Sequence, residues 1–208
     1  MEKAKLYTMI VLASFAIGAC NNSPKSGTDN ANTENTNTFN SRQKDNGNLS
    51  KDATNFMVSA TNGGMTEVAM GKMAEKRATL QRVKDFATMI IHDHQQATGA
   101  LRSIAKGTNI TLPDSLSSDS KDKMQKLAGE QGIDFDRTYM QMMVDDHQKD
   151  VKDFKSESLK VKDADLHQWL SSTLGTLEKH LDSANAINNY LKDHKNLKIY
   201  PRGEPHAN

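Results

Sequence analysis

Apolar residues recur at spacings of three and four through most of the chain after residue 50, and nowhere alternate over the length of a strand. That period belongs to helices with one buried face. It predicts a first helical region from about Asp52 to Ala78, which Gly63-Gly64 interrupts or kinks. A second helix runs from about Leu80 to Lys106 and stops at Gly107. A loop containing Pro113 leads to a short helix over Asp119 to Glu130. Two more long helices cover about Asp134 to Leu159 and Asp165 to Asp193. Four long helices with short connections imply an all-α, four-helix bundle with a short extra helix.

The stripes themselves carry an anomaly. The first passes Phe56, Ala60, Gly64, Glu67, Gly71 and Ala74; the second passes Val83, Ala87, Ile90, His94, Ala97 and Leu101. The third passes Asp136, Met140, Met143, His147, Val151 and Phe154, and the fourth Leu170, Leu174, Leu177, His180, Ala184 and Ile187. Each long helix therefore turns an ionisable group inward: Glu67, His94, His147 and His180. A buried imidazole or carboxylate without a partner is costly. Grouped at one level, the four would satisfy each other or ligate one transition-metal ion, for which zinc, iron, copper and manganese all suit the donors. Asp93 and Asp146 stand next to two of the histidines as further ligands or orienting acceptors. Core histidines with ordinary hydrogen bonds would give the same pattern, because helical period fixes the direction of a side chain and not its height. A repeat reinforces the symmetry: Met89, Asp93, His94 and Gln95 recur 53 residues later as Met142, Asp146, His147 and Gln148.

The ends read differently. Lys3 and Lys5 precede an apolar run from Leu6 to Ile17, too short for a membrane-spanning helix and suited to a secretory signal over residues 1–19. Ile17-Gly18-Ala19-Cys20 resembles the bacterial lipobox, which implies cleavage before Cys20 and lipid on its sulfur. This is the chain's single cysteine, so the folded part has neither a disulfide nor a thiolate metal site. Residues 20–50 hold almost nothing apolar and read as a flexible linker, reaching roughly 30 Å at random-coil scaling. The bundle then occupies 51–193, and 194–208, with Pro201 and Pro205, reads as a disordered tail. Loss of Glu2, Lys3 and Lys5 with the signal leaves 25 basic and 25 acidic side chains. Zero net charge and 5% aromatics argue against a nucleic-acid partner. The expected partner is a membrane, through Cys20. Asn21 in place of aspartate after that cysteine favours the periplasmic face of the outer membrane.

Other signals are weaker. Most of the eleven methionines lie on or beside the stripes, as core fillers do. No Lys-Ser/Thr follows Gly63-Gly64 to make a phosphate loop, and no serine or cysteine nucleophile has a recognisable frame.

The segments Gly63-Gly64-Met65-Thr66-Glu67-Val68, Val83 to His94, Leu112-Pro113, Asp134 to Tyr139, Met143 to His147 and Leu174 to Leu181 carry a resemblance in order and spacing. The chain from Asp52 to Tyr190 resembles the bacterial domain-of-unknown-function family 4142, described as ferritin-like. The resemblance implies a ferritin-like four-helix bundle and supplies no activity. The usual di-iron members of that fold carry Glu-x-x-His on two helices. Here the residues three before His94, His147 and His180 are Ile91, Val144 and Leu177, which argues against iron oxidation and storage. Three readings stay open: a ligand- or partner-binding envelope module with a metal or polar cluster, a metal-dependent redox or stress-protection enzyme, and a purely structural envelope factor.

Overall fold

The structure, a computed structural model, describes residues 26–42 and 49–194. Its elements are all helical: α1 (Gly27–Arg42), α2 (Lys51–Arg77), α3 (Gln81–Thr108), α4 (Ser118–Gly129), α5 (Gly132–Ser158) and α6 (Ala164–Asp193). The four long helices close a ring in which α2 touches α3 and α5, and α6 touches the same two. The turn at 78–80 makes α2 and α3 antiparallel neighbours, and 159–163 does the same for α5 and α6. Between α3 and α5 the chain returns along the whole bundle, carrying α4 over α2 and α5. No described helix is long and apolar enough to cross a membrane.

Local chemistry sets the helix ends. Ser50, Ser117 and Asp163 each cap a helix by accepting a backbone N–H three residues on. Helix α3 follows Leu80, whose side chain cannot cap; Asp136 of α5, buried on its stripe, accepts from the Thr79 and Leu80 N–H groups at 2.8 Å each. Gly107 does not end α3. The helix continues to Thr108, and Asn109 takes the left-handed turn at φ 58°, which asparagine tolerates better than most residues. Gly132 opens α5 at φ 55°, a conformation that favours glycine.

Helix α2 is unbroken across Gly63-Gly64. The expected interruption gives way to a packing role, at Gly64 and one heptad on at Gly71. A Cβ on Gly64 would stand 2.8 Å from Thr98 Oγ1, and one on Gly71 would stand 2.9 Å from Ile91 Cγ1 and 3.3 Å from the Ala87 carbonyl. These two glycines let α3 lie close against α2, and the packing offsets their low helix propensity.

Residues 27–42, inside the stretch read from composition as a linker, form α1. Ser26 caps it through Asp29, and Ala31 and Asn35 are buried. The Asn35 amide donates to the Thr111 carbonyl and its oxygen accepts from the Thr111 N–H, both at 2.8 Å. A helix this rich in Asn and Thr has little propensity of its own, so tertiary contacts hold it. Residues 1–25, with the signal and Cys20, and the tail 195–208 lie outside the described residues.

The core has two apolar layers. One contains Met70, Phe86, Ile90, Phe135, Tyr139, Met140 and Met143. The other contains Met57, Leu101, Phe154, Leu166, Leu170 and Leu177. Between them lies a polar layer.

Candidate metal centre

That layer brings together Glu67, His94, His147 and His180, one from each long helix, exposed by only 2%, 7%, 0% and 1%. The equal height that periodicity could not establish is met. One ring nitrogen from each histidine lies within 4.8 Å of the other two.

The acceptors around the rings decide where the protons sit. His94 Nδ1 faces Glu67 Oε2 at 2.9 Å. His147 Nδ1 donates to the Met143 carbonyl at 2.9 Å and lies 3.4 Å from Glu67 Oε1. His180 Nε2 donates to Asp93 Oδ2 at 2.9 Å. These outer nitrogens face only acceptors and so carry hydrogen. The inner nitrogens of neutral rings are then lone pairs. His147 Nε2 and His180 Nδ1 point theirs at each other across 3.2 Å, and His94 Nε2 is buried without a partner. Two bare lone pairs at that distance repel unless a cation lies between them.

The spacing suits a metal. Two imidazole nitrogens about 2.05 Å from a tetrahedral ion stand about 3.3 Å apart. The His147–His180 pair is already at that separation, and His94 would close on it by side-chain movement.

Charge is distributed to match. Burial would drive the Glu67 carboxyl upward, but the facing His94 imidazolium, by charge and hydrogen bond, and the nearby His147 ring hold it at about 2. Burial works against the His94 imidazolium too, yet the charge and hydrogen bond of Glu67 raise its pKa. Burial lowers His147. It also lowers His180, to about 4, against the opposing pull of the Asp93 hydrogen bond. The layer thus holds one ion pair, Glu67 with His94, and two neutral imidazoles that are ready as ligands.

Asp93 holds the outer nitrogen of His180 by a hydrogen bond, and Glu67 faces those of His94 and His147 at ion-pair distance, the placement by which carboxylates orient metal-bound histidines. Asp93 also accepts from exposed His92 at 2.7 Å. Asp146 does not join the cluster by a hydrogen bond. It pairs with Lys123 of α4, and burial keeps its carboxyl above the ordinary range despite that lysine. Asp150 was not singled out from sequence. It lines a partly open pocket of about 70 Å³ with Glu67 and His94. Burial first, then the charge of Glu67, pushes its carboxyl to about 7. Its position three residues after His147, on the same face of α5, was the available signal.

Among solved structures, this chain is similar to CopM in the Cu(II)-bound form, at 15% identity over 66% of this chain and 95% of that one, with a TM-score of 0.58. A second match is CopM in the Ag-bound form (by co-crystallization), at 19% identity over 68% and 94%, with a TM-score of 0.49. At these identities the first likeness establishes a shared helical-bundle fold. No curated protein matches the sequence. The model of the family described as Domain of unknown function (DUF4142) matches residues 38–187, which span all four helices of the polar layer, and this chain belongs to that family.

Proposed function

We propose that this protein is a lipid-anchored envelope module that binds one divalent transition-metal ion through His94, His147 and His180, with Glu67 and Asp93 orienting the rings from outside the ligand set. The observation that carries the reading is the approach of His147 Nε2 and His180 Nδ1 to 3.2 Å in a buried layer, while the other nitrogen of each ring faces an acceptor. The unpartnered His94 Nε2 supplies the third donor. Two flanking carboxylates complement a doubly charged ion better than a singly charged one. Imidazole donors suit copper(II) and zinc, and the copper-bound state of CopM, a protein of similar fold, makes copper(II) the first ion to try. A bound ion would supply a cross-link between α3, α5 and α6.

The anchor is supported by the signal-like run ending at Ala19 and by Cys20 itself. Because Asn21 follows the cysteine, the outer membrane is the proposed destination.

Metal content by mass spectrometry tests the centre. Untagged protein is loaded with copper(II) or zinc, dialysed and compared with a His147→Ala, His180→Ala double variant. About one ion per chain, lost in the variant, is expected of a three-histidine site. Failure to hold either ion would overturn the proposal. Incorporation of labelled palmitate, abolished by Cys20→Ser, tests the anchor independently.

A further inference from the structure

The proposed centre is buried, so an ion needs a route to it. Three openings among the described residues reach His94. The pocket shared with Glu67, Asp150 and Asp153 is acidic but holds only about 70 Å³, room for about two water molecules and too little for a hydrated ion. The other two are surface grooves. One runs along the α2–α3 seam past Met65, Val68 and Gly99, with Lys72 and Arg102 and no acidic side chain on its walls. The other runs along the α3–α6 seam and ends on His94 and His180, with Asp93 on its wall and no Lys or Arg.

The second groove exists because its walls are small. Ala97 and Ala100 on α3 face Ser172, Thr173 and Thr176 on α6. Trp169 spans the seam, donating from Nε1 to the Ala97 carbonyl at 2.9 Å. The opening has a volume of about 250 Å³. Liquid water occupies ~30 Å³ per molecule, so a cation fits there with much of its hydration shell. The hydroxyls offer oxygen donors along the way, and Asp93, 29% exposed, touches both the solvent side and His180.

Charge decides between the grooves. A divalent cation is drawn toward a partly exposed carboxylate and repelled by a lysine and an arginine. We infer that the α3–α6 groove is the port through which a hydrated divalent metal ion enters and leaves the His94–His147–His180 centre. This rests on the metal-site reading above. A port acts on kinetics: an obstacle in it slows uptake and release alike and leaves the equilibrium affinity unchanged.

Trp169 is the chain's single tryptophan and lines the groove, so its fluorescence reports arrival of copper(II), a quencher. Stopped-flow uptake of copper(II) and release into excess chelator would be measured on the full chain. Ala100→Phe and Thr176→Phe narrow the groove at its outer and inner parts. Gly99→Leu fills the α2–α3 groove instead, at a position where an added Cβ meets nothing within 4 Å. Circular dichroism checks that each variant is folded, and Ala100 is exposed enough to tolerate the change.

The expected result is uptake and release both slowed by about tenfold or more in the two phenylalanine variants, an added barrier of ~1.4 kcal/mol, with Kd unchanged and Gly99→Leu like wild type. Stoichiometric copper with wild-type rates in both phenylalanine variants would overturn the port. So would slowing by Gly99→Leu alone, which would assign entry to the other seam. A wild-type protein that binds no copper(II) would instead remove the metal-site reading, and this inference with it.

Discussion

Replacing Glu67 by glutamine tests the electrostatic arrangement of the centre directly. The carboxylate lies 2.9 Å from His94 Nδ1 and is 2% exposed. At an effective dielectric of about 20, unit charges at that separation attract by about 6 kcal/mol. Desolvation of the pair offsets several kcal/mol of this, but a remainder near 1.4 kcal/mol already shifts a protonation equilibrium tenfold. Glutamine keeps the shape and removes the charge. Its NH2 group would also face one of the two Nδ1–H donors, His94 or His147, that the carboxylate faces now. His94 in Glu67→Gln therefore gives up its proton in the metal-free protein at neutral pH. Metal binding to wild type displaces that proton from Nε2; binding to the variant has none to displace there. Calorimetric titration with copper(II) in two buffers of different ionisation enthalpy counts the protons. Wild type should release about one more per ion than Glu67→Gln, and the variant should bind 10–100-fold more weakly, as when an orienting carboxylate is lost. Equal proton release by the two proteins would refute the assignment of the charge pair.

Acid should destabilise the metal-free fold. His180, held at about 4 against an ordinary 6.5, contributes stability that is present above pH 6.5 and lost as pH falls toward 4. Glu67, held at about 2 against 4.5, contributes stability lost between pH 4.5 and 2. His94 is raised and acts in the opposite sense, its contribution full below pH 6.5 and lost as pH rises through its folded value. Tm should therefore decline from pH 6.5 to 3 in thermal scans by circular dichroism; a Tm rising over that window would contradict these assignments. Gly71→Ala should cost about 1–3 kcal/mol through its contacts with Ile91 and the Ala87 carbonyl, whereas Gly63→Ala, with nothing within 4 Å, should gain about 0.5–1 kcal/mol. Chemical denaturation compares the two, and a reversed order would mean that α3 does not rely on Gly71 for its approach.

The apolar period located α2, α3, α5 and α6 to within a few residues, since each buries one continuous face. The same period identified the four inward ionisable groups. It could not give their height, which depends on the 78–80 turn, on the α5–α6 connection and on the return of the chain through α4. Nor could it tell Asp93 from Asp146, which hold equivalent places in the repeat. Lys123 on α4 claims Asp146, while α6 brings His180 to Asp93. Helix α1 was hidden for a different reason. Its docking depends on paired amide bonds between Asn35 and Thr111, and a polar contact of that kind leaves no hydrophobic stripe to read.

That docked helix alters the mechanics of the proposed anchor. A free linker from Cys20 to Leu49 would act as a soft spring, letting the bundle wander roughly 30 Å from the bilayer. With α1 fastened against the 111–115 loop, only six residues separate Cys20 from Gly27, and seven Cα–Cα steps can span about 25 Å at most. If the proposed anchor holds, the bundle would ride close above the lipid headgroups with its α1 side turned toward them. On that anchor, release of Asn35 from Thr111 would pay out the remaining chain, so that a pair of amide hydrogen bonds would set how far from the membrane the histidine layer could work.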